Sequence, residues 1–358
     1  MPLLRILRYL LAPFALIYSL VVCIRNACYE HGLFSSVSFP LPVIAVGNIT
    51  VGGTGKTPLI EYLLRLLSGG SNMAVVSRGY RRKSRGLVMA TPSSTAAELG
   101  DEPWQMMRRF PGVRFVADAD RCEAIERLME SDIKPKVDAV LLDDAMQYRR
   151  VRPGMLIMLT DYSHPIYSDY PFPMGLMREP SAARRRADII IVTKCPPALT
   201  RPSAQSIIRR LSPRPGQRVF FSTIAYGRPY NIFTHEETEM AALLAGHGDV
   251  IALAGIARPR PFFERVKSFA PAARNIALPD HHSFTASELE ELRKFALSSK
   301  SPLIITTEKD ASRLYSRLEK GDSRIRDTIY ALPIRAEFLF EEQETFNKII
   351  LDYVRRNK

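Results

Sequence analysis

Leu41-Pro42-Val43-Ile44-Ala45-Val46-Gly47-Asn48-Ile49-Thr50-Val51-Gly52-Gly53-Thr54-Gly55-Lys56-Thr57 is the stretch on which the reading of this chain turns. Its first six residues are apolar and rich in β-branched side chains, the pattern of a short strand buried on both faces. A glycine-rich turn follows at once. PLIEYLLRLL at 58–67 then has helical periodicity, with Pro58 tolerated in a first turn. Strand, glycine-rich turn and helix in this order make a phosphate-binding loop. The glycines let backbone N–H groups approach phosphate oxygens, and the helix N-terminus adds partial positive charge. The pattern G-x-x-x-x-G-K-[ST] has Thr50 where its first glycine would stand, while GGTGKT is intact. Thr50, Val51, Gly52, Gly53, Thr54, Gly55, Lys56 and Thr57 are therefore expected to cradle a nucleotide. Lys56 would reach the β- and γ-phosphates, and the Thr57 hydroxyl would face Mg2+.

Downstream, Ala139–Asp144 reads AVLLDD, an apolar strand ending in two acids. Carboxylates placed there hold Mg2+ directly or through water. Apolar runs near Ala74–Val76, Val113–Val116, Leu156–Leu159 and Ile189–Val192 alternate with helical stretches. That order predicts an α/β fold of the P-loop type, a parallel sheet with helices on both faces. Pro196, not Asp, follows Thr193-Lys194-Cys195, which argues against guanine specificity. Val51 stands where membrane-positioning ATPases carry a second lysine.

After a strand at 217–224 and a polar connection, strands at 250–254 and 302–306, with helices from about 261 and after Lys309, predict a small α/β unit. The expected division is a membrane-anchoring helix at 1–30, a nucleotide domain at 31–225, a linker at 226–248 and a second domain at 249–358. Thr307-Glu308-Lys309-Asp310 follows an apolar strand, where α/β sites lie, although helix capping by Thr307 or Asp310 is the plainer reading.

The 358 residues, 46% hydrophobic, suffice for two cores. A formal net charge of +13 favours anionic partners: phosphates, nucleic acid or an anionic bilayer. No nucleic-acid reader motif accompanies it, and aromatics do not interleave with the basic runs, so no nucleic acid is expected. Four cysteines without C-x-x-C or zinc spacing fit a reducing cytoplasm. From Tyr9 to Ile24 no residue is charged, and Arg5, Arg8 and Arg25 flank the run. It is at the short edge of a span, and Pro13 interrupts it. A buried core helix is one reading. The favoured one is a membrane-embedded or interfacial helix with the three arginines at headgroup level.

Eight segments then point one way: GNITVGGTGKTP at 47–58, SRGYRRK at 77–83, GDEP at 100–103, LLDDAMQYRR at 141–150, LMREP at 176–180, AGIARPRPFF at 254–263, PDHHSF at 279–284 and TEKDASRL at 307–314. Together they resemble the tetraacyldisaccharide 4'-kinase family, the lipid A 4'-kinases of Gram-negative bacteria. The resemblance implies two Rossmann-like domains joined by a short β linker. It implies an N-terminal helix in the inner membrane, amid anionic lipids, with the bulk of the chain on the cytoplasmic face. It also implies transfer of the γ-phosphate of ATP, with Mg2+, to the 4'-hydroxyl of a tetraacylated glucosamine disaccharide 1-phosphate, the lipid A disaccharide precursor. No protein partner is expected. The alternative is a nucleotide-switched membrane-associated P-loop protein or a kinase of another membrane lipid.

By the same resemblance Asp101 lies near the attacking hydroxyl and His281 pairs with it, leaving the neighbouring His282 ambiguous. The residues alone read Asp101 as a helix N-cap before Glu102-Pro103. Thr57, Asp143, Asp144 and Gln147 form the expected magnesium set. Arg78, Arg121 and Arg178 are assigned to the acceptor's 1-phosphate or the transferring phosphate. Glu179 is left between metal binding and fixing Arg178, and Arg184-Arg185-Arg186 reads as a solvated or membrane-facing patch. The family's usual L-D-D-G-F-Q-H is here Leu142-Asp143-Asp144-Ala145-Met146-Gln147-Tyr148, which leaves open the role of Tyr148 where the family has its histidine.

Overall fold

The computed structural model describes residues 10–280, 282–318 and 323–358. Chain order gives strands β1 (Val43–Asn48), β2 (Met73–Ser77), β3 (Val88–Met89), β4 (Arg114–Ala117), β5 (Ala139–Asp143), β6 (Met155–Asp161) and β7 (Ile189–Thr193). They continue with β8 (Arg218–Tyr226), β9 (Tyr230–Asn231), β10 (Asp249–Ala254), β11 (Arg274–Ala277), β12 (Pro302–Thr307), β13 (Ile329–Leu332) and β14 (Ile334–Phe338). One sheet has the order β14-β8-β7-β6-β1-β5-β2-β4-β3, the other β11-β10-β12-β13-β9. In the large sheet only β14 and β3 run antiparallel to their neighbours.

Period-two alternation splits each strand between two cores. Ile44, Val46, Val75 and Leu141 face the helix Lys56–Leu67, while Val43, Ala45, Val76 and Leu142 face the helix Arg121–Leu128. The small sheet is likewise covered on both faces. β1 lies between β5 and β6, so the chain's course reverses beside it and the crevice beyond its carboxyl end is open to a ligand.

Two expected boundaries shift. Residues 334–358 belong to the first sheet, not to the second unit. β14 pairs with β8, from Ile334 opposite Tyr226 to Phe338 opposite Ser222. Phe346, Ile350 and Val354 of the helix Gln343–Arg356 enter the core of Ile44 and Leu59, and Tyr353 bonds Val43. The expected linker is partly built into the second sheet, through β9 against β13 and the buried Met240 and Leu243. The chain therefore crosses between sheets twice, and Gly227 N–H donates to the Pro333 carbonyl where the crossings meet (2.9 Å).

The helix Ala12–Glu30 is the one described helix long and apolar enough to cross a membrane. It is not a core helix: only Ala15 is buried, and Phe14, Leu16, Ile17, Leu20, Val21 and Ile24 are exposed. Arg5 and Arg8 lie outside the described residues. Arg25, at the far end of the apolar run, donates to the Gln147 carbonyl (2.8 Å).

Candidate active site

The phosphate loop forms as its sequence requires. Gly52 and Gly55 take φ of +108° and +86°, which only glycine adopts without strain, and Gly55 leads into the helix Lys56–Leu67. A Cβ on Gly47 would lie 2.7 Å from the Met146 nitrogen, so the strand can pass close beneath the acidic loop. Val51 N–H donates to the Leu176 carbonyl (2.7 Å), and Thr50 bridges Met177. Thr193 Oγ1 donates to the Thr54 carbonyl (2.8 Å), and Lys194 bonds the Gly53 carbonyl and Asp161.

Parallel register sets Val46 opposite Asp143, which brings the acids beside the loop. Lys56 Nζ lies 3.1 Å from Asn48 Oδ1 and 3.4 Å from Asp144 Oδ1. Burial, and next the charge of Glu102, push the Asp143 carboxyl up to about 7. Burial acts on Asp144 in the same sense, but Lys56 and Arg178 outweigh it and hold that carboxyl below its ordinary range. Asp143 Oδ1, Asp144 Oδ1 and Thr54 Oγ1 are buried and make no hydrogen bond. Oxygen donors of this kind suit a hard divalent cation that keeps most of its ligands from phosphate and water.

Gln147 is engaged on both ends of its amide. It donates to the Asn48 carbonyl (2.9 Å) and Glu179 (3.1 Å) and accepts from Arg178 (3.3 Å). Arg178 also pairs with Asp144 at 3.0 Å. Glu179 is buried and holds Arg186 (2.6 Å) and Asn26 (2.9 Å), and it reaches Arg178 through Gln147. Of the arginine run, Arg185 is exposed as expected, while Arg186 is held by Glu179 and Arg184 donates to the Leu211 carbonyl (2.6 Å). These contacts tie the helix Ala12–Glu30 to the site, since Tyr18 donates to the Arg178 carbonyl (2.9 Å).

Arg78 is exposed just beyond the end of β2. Arg121 opens the helix Arg121–Leu128 with its guanidinium 4.6 Å over the Tyr148 ring and its buried Nε without a partner. Burial, then the Arg78 charge, weaken its hold on its proton, and Asp144 and Asp143 oppose them. Tyr148, in place of the histidine, donates to Asp120 (2.6 Å) and accepts from the Arg121 backbone N–H (3.1 Å). A π face holds the guanidinium without neutralising it.

Asp101 begins the helix Asp101–Arg109 but does not cap it. Gly100 is the N-cap, and the Asp101 carboxylate instead meets Arg313 of the second unit at 3.3 Å. His281 lies outside the described residues. His282 is taken by Glu288 (2.8 Å). Glu102 accepts from Thr57 Oγ1 (2.9 Å) and from Lys309 (2.6 Å).

A model of the family Tetraacyldisaccharide-1-P 4'-kinase matches residues 7–355. The chain belongs to this family. It is 41% identical to the tetraacyldisaccharide 4'-kinase of Phocaeicola vulgatus over 349 residues, covering 97% of this chain and 95% of that protein. It is 43% identical to the tetraacyldisaccharide 4'-kinase of Flavobacterium johnsoniae, covering 98% of each. The crystal structure of LpxK from Aquifex aeolicus in complex with ATP superposes with a TM-score of 0.75 at 27% identity, over 97% of this chain and 99% of that one.

Within this 4'-kinase, sequence reasoning passed over three residues that the fold brings to the site: Asn48, Glu102 and Asp120. Asn48 lies inside the quoted loop and Glu102 inside GDEP, so both carried a signal. Asp120 carried only that of a helix N-cap, a role it also fills by accepting from Cys122 N–H (3.0 Å).

Proposed function

We propose that the site phosphorylates the 4'-hydroxyl of a tetraacylated glucosamine disaccharide 1-phosphate with ATP and Mg2+, at the cytoplasmic face of the inner membrane. The observation that carries this is the pairing of Lys56 with Asp144 inside an intact glycine turn, beside two further buried oxygens, Asp143 Oδ1 and Thr54 Oγ1, that lack hydrogen bonds. Lys56 binds the β- and γ-phosphates once they draw it from Asp144. Asp143, Asp144 and Thr57 would hold Mg2+, which when bound neutralises phosphate charge. Gln147, saturated by neighbours, orients Arg178 rather than the metal. Asp101 takes the proton of the acceptor hydroxyl, and His281 is assigned beside it. Arg78, Arg121 and Arg178 supply guanidinium groups for the 1-phosphate or the transferring phosphate.

The apolar helix supports the membrane setting. Phe172 meets Tyr18 edge-on at 5.8 Å, and Val51, Tyr170, Phe172 and Leu176 are exposed beside the loop. An acceptor with acyl chains in the bilayer would present its sugar there. Removing residues 1–30 is expected to abolish flotation with anionic vesicles, and retained flotation would end the anchoring assignment.

Incubation with γ-labelled ATP, Mg2+ and the tetraacyl disaccharide 1-phosphate in detergent tests the reaction. Label should enter a bisphosphorylated glycolipid, and Lys56→Ala should abolish it. Full transfer by the variant would overturn the assignment.

A further inference from the structure

The TEKD motif holds one residue that the mechanism above leaves unused. Thr307 and Asp310 do cap the helix Glu308–Leu318, with Thr307 Oγ1 2.7 Å from Asp310 Oδ2 and Asp310 N–H 3.2 Å from Thr307 Oγ1. Asp310 is fully buried and also accepts from Gly255 N–H (2.8 Å) and Arg313 (3.1 Å), which anchors this end of the helix in the second unit. Glu308 turns inward to Arg109 (2.6 Å). Lys309 crosses the boundary nearer the phosphate loop.

Its Nζ lies 2.6 Å from Glu102 Oε1, while Glu102 Oε2 accepts from Thr57 Oγ1 at 2.9 Å. A single carboxylate therefore separates a cation of the second unit from the last residue of the phosphate loop. The Lys309 side chain is 34% exposed, so its ammonium is not sealed in a core. Phosphoryl transfer spreads negative charge over three equatorial oxygens, and a cation brought by a separate element stabilises that charge. Lysine suits this use as a point charge on a flexible stem.

We propose that Lys309 is a catalytic residue of this kinase, its ammonium passing from Glu102 to the oxygens of the transferring phosphoryl group. This rests on the reading of residues 50–57 as the ATP site. The bond from the acceptor 4'-oxygen to phosphorus forms as the bond from phosphorus to the β,γ-bridging oxygen breaks. ADP leaves, and the hydroxyl proton goes to Asp101. Glu102 goes on accepting the hydrogen bond of the Thr57 hydroxyl, which leaves the threonine lone pairs free for a cation.

The test uses the full chain in detergent. Calorimetry with Mg2+ measures the affinity for ADP and for the β,γ-imido analogue of ATP in the parent protein, Lys309→Met and Lys309→Arg. Lys309→Met should weaken the triphosphate analogue while leaving ADP unchanged, and should lower kcat by about 10³-fold. Lys309→Arg, which keeps the charge, should recover part of both. A lysine that only ties the two units together would shift both nucleotides equally, and that result would overturn the proposal. A parent protein that binds neither nucleotide would instead refute the underlying ATP site.

Discussion

The two ends of the helix Asp101–Arg109 meet one partner, the helix Glu308–Leu318, in opposite ways. At the first end Asp101 and Glu102, 36% and 30% exposed, pair with Arg313 and Lys309. At the other end Arg109 sits between Glu308 (2.6 Å) and Glu61 (2.9 Å), both buried. Pairs still reached by water contribute less to stability than sealed ones and can change partners at lower cost. A buried charge that loses its partner has no water to replace it. The same contact between units thus has a working end at the phosphate loop and a fixed end in the core. Burial, with Glu61 next, pushes the Glu308 carboxyl up to about 8, so the fixed end sheds charge near neutrality.

The largest effect should come from the working end. Asp101→Asn is expected to lower kcat by about 10²- to 10⁴-fold, with nucleotide affinity unchanged by calorimetry. Near-normal turnover would make both ends structural and dissolve the contrast. At the fixed end, Arg109→Leu should cost about 3–5 kcal/mol of stability, seen as a lower melting temperature. The fraction that stays folded should keep its turnover, and a kcat defect there would show that the two ends are not separable.

The smallest effect sharpens the contrast through pH. Glu308 keeps its proton to about 8 in the folded chain against an ordinary value of 4.5. The folded state therefore binds more protons over that interval, and stability falls as pH rises through it. Glu308→Gln removes the slope. Its melting temperature relative to the parent should rise between about pH 5 and pH 8 and level off above, and a flat difference across that interval would mean that Glu308 is ionised throughout.

Much of the nucleotide half was legible because strand, glycine turn and helix are local events. Val43–Leu67 and Ala139–Asp143 folded as their patterns predict. The ends of the second unit were not legible. An apolar alternation at 334–338 and a helical period at 343–356 state that a face is buried, not which core buries it. Arg25 and Arg186 read as headgroup or surface charges and Glu179 as a metal ligand or a partner of Arg178, yet Glu179 binds Arg186 and Asn26, and Arg25 joins the same helix to Gln147.

The sequence by itself determined the phosphate loop, the acids after β5, the α/β alternation and the family, because each depends on residue type over short spacings. Only the tertiary structure decided that Asp101 faces Arg313, that Glu102 joins Thr57 to Lys309, and that the last 25 residues return to the first sheet. Those outcomes depend on which distant surfaces exclude water together, and no local period carries that information.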